Sequence, residues 1–517
     1  MNILIALPGL PLLAALWFAL VPGGDRRAAG WVTALAALFP VATATLVQSQ
    51  RLEIPHLLVR GSSALVLDDA ARPALLLFGA LWLAAALVAR SRSSGPAAIP
   101  MLLALSGAST LALADGRPLV YASMLATGYG LYAMMASESD ADWRRPARAL
   151  IVLLIASDLL VFEVLLHAAA YPEHGISGGV LTVLMIAIVL RSGAPPAHVW
   201  LPPALAAVST PTAIVLAGVP AAAAFVGAGR LLPAEVSGIA GACLGLGLAG
   251  ALWASAAGIA QSTPRATLGY ASAASAALLL ATVPLTADPA AAAWTTLALM
   301  GCCATLPVIA GQHDGPARNA AITLTLLIHG FAGAHAAAGT WAGTTAAGLA
   351  AAAVAVLATL LLTLAVRRTS PPRRDDGSVE ASTMAIAMAG LAATGLAFLW
   401  RASLPGFASF WPVPIGITLG LVFYRWHPQG TSLRVPPGDL LVPAERTLAR
   451  LITVTATQCR QRLPRMRDRL QQSLLSAWRG DAWAARIARL EYLLRAWPTT
   501  GVLVLLVAIA VALLVMR

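Results

Sequence analysis

Apolar residues run along this chain in blocks of about twenty, separated by short stretches that hold most of its charge. A membrane-crossing helix needs about 20 apolar residues. Blocks of that kind fall at 3–22, 30–48, 70–90, 97–114, 117–136, 146–170, 175–190, 234–261, 266–284, 288–311, 318–337, 342–366, 380–401, 406–424 and 498–516. A further stretch, 198–232, is as apolar but holds Pro202, Pro203, Pro211 and Pro220, just after Pro195 and Pro196. Proline removes a backbone donor and clashes with the preceding turn, so this stretch predicts a broken or kinked helix. Non-helical backbone at membrane depth is tolerated only where it is buried in protein or lines a wet cavity. Interrupted helices are also the best sequence pointer to an ion or substrate site. The pattern predicts an all-α polytopic membrane protein of about 16 transmembrane helices.

Composition agrees. The chain is 59% hydrophobic and 11% charged over 517 residues, more apolar than a soluble core requires. Its first apolar run, from Ile3, has no basic start and reads as a span rather than a cleavable signal. There is no lysine, so all 34 basic residues are arginine. If the N-terminus is outside and the spans alternate, the inner loops collect Arg26, Arg27, Arg90, Arg92, Arg144, Arg145, Arg148, Arg191, Arg265, Arg318, Arg367, Arg368, Arg373 and Arg374. Few arginines fall outside, as the positive-inside rule requires. The expectation is a bacterial inner-membrane protein with both termini periplasmic and segment 425–497 cytoplasmic.

From Pro443 onward that segment repeats apolar residues at helical spacing with arginines between them. Trp478, Trp483 and Trp497 suit headgroup depth. The segment reads as a seat on anionic lipid or as a seat for a partner subunit or peripheral enzyme, and both can hold. Cys243, Cys302, Cys303 and Cys459 show no CxxC spacing and no metal-ligand pattern. Nothing resembles a haem histidine pair, an iron–sulfur cysteine set or a nucleotide-binding Gly-rich loop. The expectation is therefore no cofactor, no metal, no catalytic residue and no nucleic-acid partner; a redox step would belong to another subunit.

Ionisable residues inside spans are costly and default to functional hypotheses. Asp158, Glu163 and His167 share one helix. Glu163 and His167 stand at i and i+4 and can pair, either as a proton-exchanging couple or as a self-satisfied one near the outer helix end. Asp158 lies about 140° around the helix from Glu163 and need not join them. Arg191 and His198 open the proline-rich stretch. By residue type alone they read as a loop cation and an interfacial histidine. As a buried cation, Arg191 would need a carboxylate or carbonyl partner. His329 and His335 read as interhelical hydrogen-bonding residues.

The wording of the central stretch adds to this. PPAHVWLPPA followed by PTAIVLAG resembles the proton-conducting antiporter-like subunits of respiratory complex I, Mrp-type cation antiporters and membrane-bound hydrogenases. ARALIVLLIASDLLVFEVLL, with Asp158, and RATLGYASAASAALLLATV are similar to further segments of that family. The resemblance covers roughly residues 60–370 and implies two inverted five-helix repeats with broken helices, the second break near Pro307. It divides the chain into N-terminal helices 1–96, a first repeat 97–232, a second repeat 234–366, C-terminal helices 367–424, the segment 425–497 and a final helix 498–517. It also implies a protonatable lysine at Arg191, a glutamate near Tyr121–Met124 and further lysines near Ala221–Ala223 and Gly301–Cys303. None of those groups is present. The proton-path candidates are then Asp158, Glu163, His167, Arg191 and His198. The implied function is a membrane subunit of a multisubunit complex, beside other membrane subunits, with reduced or altered proton conduction. The alternatives are a non-conducting anchor for a partner enzyme, as in inorganic-carbon uptake complexes, and a stand-alone small-solute transporter.

Overall fold

The computed structural model describes residues 2–20, 26–54, 63–89, 95–138, 141–170, 178–232, 237–261, 263–282, 289–310, 316–341, 345–368 and 412–426. All of these belong to one compact unit, Met1–Leu441. The expected spans 380–401 and 498–516, and the basic segment 425–497 beyond Trp426, lie outside the described residues.

Helices dominate. In chain order they are α1 (Ile3–Leu20), α2 (Arg26–Leu46), α3 (Ala71–Ala89), α4 (Gly95–Leu113), α5 (Arg117–Ala136), α6 (Arg144–Ala170), α7 (Gly178–Ser192), α8 (Leu201–Ala207), α9 (Thr210–Leu231), α10 (Ser237–Ile259), α11 (Pro264–Thr282), α12 (Pro289–Ala310), α13 (Pro316–Trp341), α14 (Thr345–Arg368) and α15 (Pro412–Trp426). A helix satisfies its backbone within itself, which hydrocarbon demands. Among the described residues, nine segments are long and apolar enough to cross a membrane by length and composition.

The expectation of an all-α chain needs one amendment. The stretch expected as an outer loop, 49–69, holds most of a small antiparallel sheet: β1 (Gln50–Ile54), β2 (Ser63–Leu67) and β3 (Ala114–Asp115), in that order. Gln50 pairs with Leu67, and Leu65 with Ala114. Side chains fasten the sheet to the helix ends. Arg51 bonds Asp115 at 2.7 Å. Asp68 accepts from the Ala71 N–H at the start of α3 and holds Arg230 of α9 through both carboxylate oxygens, at 2.6 and 2.9 Å. Arg72 donates to the carbonyls of Ala44 and Val47, capping the last turn of α2.

The proline-rich region differs from its expected bounds. The interruption lies at 193–200. Gly193 turns α7 off with φ +72°, a conformation that costs glycine little. Pro195–Pro196, a cis peptide, follows, then a 3₁₀ turn, Ala197–Trp200, and then the short α8. Together 178–207 make one interrupted span. After a second turn at Val208 and Ser209, α9 runs unbroken through Pro220. One proline removes a single donor. Here α9 is enclosed by α3, α5, α7, α11 and α12, and that packing holds it straight. Arg191 is therefore not in a loop, as the arginine distribution places it, but buried within an interrupted span. The same reasoning applies to α12, which continues through Pro307 where a second break is expected.

The core is built on helices apolar on every side. Nearly all of α9 and every residue of α11 from Ala266 to Thr282 is buried, the pattern of a central helix. Small residues let these helices approach closely. At Gly269 of α11 an added Cβ would stand 2.4 Å from the Cα of Pro202 in α8.

That contact is testable. Gly269→Ala is expected to lower the thermal midpoint of the detergent-solubilised protein by the cost of overpacking, about 1–3 kcal/mol. Gly229→Ala, where a Cβ meets nothing within 4 Å, is expected to leave the midpoint unchanged or slightly raised. Equal midpoints for the two variants would mean that α8 does not sit against α11.

Candidate functional site

Three helices build the site. Ser157 on α6 donates to the Ala187 carbonyl on α7 at 2.8 Å, which fixes the register between them. The next residue, Asp158, then faces the last turn of α7, where Arg191 stands. Arg191 Nη2 donates to Asp158 Oδ1 at 3.0 Å and to the Met124 carbonyl of α5 at 3.3 Å. Both side chains are almost fully buried, at 5% and 6% exposure. Tyr121 and Tyr129, also on α5, lie within electrostatic reach of the pair.

The guanidinium fits because α5 makes room for it. A Cβ on Gly128 would stand 3.1 Å from Arg191 Nη2 and 3.0 Å from Leu154. A small cavity of about 20 Å³ adjoins the site, lined by Met124, Thr127, Gly128, Arg191, Pro220 and Ala223 among others. Arg191 Nη1 and Asp158 Oδ2 are buried with no hydrogen-bond partner among the described residues. Buried polar atoms of this kind are the ones that ordered water satisfies.

Of the five candidates, the structure brings together Asp158 and Arg191. Glu163 is exposed on the outer side of α6 and His167 is half-buried. His198 is fully buried in the 3₁₀ turn and packs on Tyr270 of α11, ring centroids 5.6 Å apart. The expected partner of Arg191 is present in both forms, a carboxylate and a carbonyl. The carbonyl comes from α5 rather than from the proline break. Met124 belongs to the stretch Tyr121–Met124, where the family resemblance implies a glutamate. A main-chain acceptor there leaves no trace in the sequence.

A second polar cluster joins α11, α12 and α13. His329 Nε2 lies 2.9 Å from Ser275 Oγ, and the Cys303 thiol donates to the same oxygen at 3.3 Å. Ser275 also donates to the Ala271 carbonyl at 3.0 Å. His329 Nδ1 is buried without a partner among the described residues. His329 is thus the interhelical hydrogen-bonding residue that its place in an apolar run suggests. The side chain of His335 lies outside the described residues. Cys303 occupies the region where the resemblance implies a lysine.

Residues 148–313 match the family model described as "NADH:quinone oxidoreductase/Mrp antiporter, TM". That window contains Asp158, Arg191, His198 and Cys303. No curated protein matches the chain in sequence. Among solved structures, the chain is similar to one in the Mrp complex from Dietzia sp. DQ12-45-1b, with TM-score 0.65 and 17% identity. The match covers 97% of this chain and 62% of that one, so this chain spans less than two thirds of its length. It is similar to a chain of the membrane-bound sulfane sulfur reductase, an archaeal respiratory membrane complex, with TM-score 0.64, 15% identity and coverage of 98% and 100%. A chain of respiratory complex I from Thermus thermophilus gives TM-score 0.61 and 18% identity over 82% of this chain and 98% of that one. At these identities the structural likeness is one of fold.

Breaking a buried ion pair leaves an uncompensated charge, at a cost of about 3–5 kcal/mol. Arg191→Met and Asp158→Leu are each expected to destabilise the protein by about that much. The double variant is expected to recover most of the loss, because neither charge is then stranded. A double-mutant cycle on thermal midpoints measures the coupling. Simple additivity would show that the two side chains do not pair.

Proposed function

We propose that this chain, a divergent member of the proton-translocating antiporter-like subunits, is an integral membrane subunit of a multisubunit complex with reduced proton conduction. The observation that carries the reading is the chemistry of the buried pair. The family resemblance puts a lysine at Arg191. Burial brings a lysine into a working range, so it can load and release a proton. Arginine does not lose its proton in a protein. Arg191 therefore holds a fixed charge, tied to Asp158 and Met124, and serves as an electrostatic gate and an anchor for the interrupted helix. It is not a relay.

What remains for protons is a neutral route. Ser275, Cys303 and His329 form a hydrogen-bonded set whose protons can be rearranged without a resident charge. Ser275 can donate to Ala271 while receiving from His329, or it can donate to His329. The histidine tautomer differs between the two arrangements. Such a set supports slow or conditional conduction. The multisubunit complexes that contain the similar folds support a role beside other membrane subunits. With Arg191 set aside as a buried residue, the other loop arginines still support an orientation with both termini outside, periplasmic if the membrane is a bacterial inner membrane. A non-conducting anchor for a peripheral enzyme, seated on 425–497, is the second reading, and the fixed charge at Arg191 favours it equally well.

Proton flux in proteoliposomes tests the proposal. The parent is expected to conduct slowly. Arg191→Lys is expected to raise flux roughly tenfold or more, about 1.4 kcal/mol of barrier, because a removable proton returns to an unchanged geometry. Flux that is fast in the parent and indifferent to Arg191→Lys would overturn the reading. Glu163→Gln is expected to leave flux unchanged, since that carboxylate faces away from the pair.

A further inference from the structure

A separate feature lies in the last part of the described chain. α13, α14 and α15 line a groove of about 210 Å³. Its walls are Ile322, Leu326, Leu327, Ile417 and Leu421, and Arg367 stands at one end. Two threonines also line it, but they present methyl groups: Thr323 and Thr363 turn their hydroxyls to the Asn319 and Thr359 carbonyls of their own helices. Arg367 is exposed and makes no hydrogen bond or ion pair among the described residues.

The depth of the groove is set by helix geometry. Ile322 to Leu327 is five residues, roughly 8 Å. Arg367 is in the last turn of α14, so the groove opens at a helix end and reaches about a turn and a half inward. α15 ends on the same three-helix cluster with exposed Arg425 and Trp426 beyond Leu421. Basic and aromatic residues at such a level mark the membrane–water interface. α13, α14 and α15 carry no acidic residue along their lengths. Among the described residues the charge at the mouth is therefore positive, and the interior is apolar.

We propose that this groove binds an anionic phospholipid, with its phosphate at Arg367 and the upper part of one acyl chain against Ile322, Leu326, Ile417 and Leu421. A small charged ligand would leave the apolar walls wet. A zwitterionic lipid would fill them but gain less from Arg367, since anionic headgroups are favoured about fivefold per basic side chain at the surface. The site is independent of whether the chain conducts protons.

Native mass spectrometry of the full chain, delivered from nanodiscs containing phosphatidylglycerol and phosphatidylcholine in equal amounts, tests this. The parent is expected to retain one phosphatidylglycerol about fivefold more often than one phosphatidylcholine. Arg367→Gln is expected to bring the ratio close to one. Leu327→Trp, which fills the groove and keeps the charge, is expected to reduce retention of both lipids. If a variant unfolds, the parent ratio and a cryo-electron-microscopy map still decide. A forked lipid density in the groove supports the site. Equal retention of the two lipids by the parent, unchanged preference in Arg367→Gln, or a protein helix seated in the groove overturns it.

Discussion

A guanidinium held away from water within an interrupted membrane span needs several things at once. It needs a counter-charge, because an isolated buried cation is prohibitively costly. It needs acceptors for its donors. It needs room, because its planar head is larger than an ammonium. Asp158 supplies the first, Asp158 and the Met124 carbonyl supply the second for Nη2 while Nη1 has no acceptor among the described residues, and Gly128 supplies the third. Each depends on helix register. The Ser157–Ala187 hydrogen bond sets α6 against α7 one residue before the pair. The left-handed Gly193 ends α7 two residues after Arg191. Packing of α9 through Pro220 and Ala223 closes the other side of the cavity.

The clustered prolines make the interruption legible in the amino-acid sequence, and the need of Arg191 for a carboxylate or carbonyl follows from its charge. Which carboxylate it finds is not legible there. Asp158 and Glu163 lie on different faces of α6, and choosing between them requires knowing which face is buried. In a soluble helix the polar face would reveal this. Here Val152, Ile155, Leu159, Phe162 and Leu166 are exposed, while Leu150, Leu154, Val161 and Val164 are buried. The two faces are equally apolar, because lipid and protein interior make the same demand. Periodicity therefore reveals that α6 is a span and nothing of its orientation. The i, i+4 spacing of Glu163 and His167 draws attention to the exposed side.

The sheet is hidden for a related reason. β2 lies in SALVL, a short apolar run without alternation, and β1 in QRLEI is too short to stand out from a polar loop. What holds the sheet is distant in sequence: Asp115 on Arg51, and the Asp68–Arg230 pair across 162 positions. Prolines also overstate the number of breaks. Pro220 and Pro307 are single prolines in apolar runs, unlike the doublets Pro195–Pro196 and Pro202–Pro203, yet each by itself also suggests a break. Only the enclosure of α9 and α12 by other helices shows that one missing donor is absorbed there. At 193–200 a glycine with positive φ is added to clustered prolines, and packing cannot rebuild the helix.

A pair that is neutral overall has a different effect on a travelling proton from a lone arginine. Arg191 alone would present a full positive charge to any proton nearing His198 or the adjoining cavity. With Asp158 at 3.0 Å the far field is that of a dipole, which falls off faster with distance. Repulsion is then confined to the immediate surroundings of the pair, on the side of the guanidinium. The hydrogen-bonded set at Ser275, Cys303 and His329, on other helices, lies outside the site that the pair occupies and carries no fixed charge of its own. The same pairing that stabilises the interrupted helix therefore also confines the influence of its buried charge to its own surroundings.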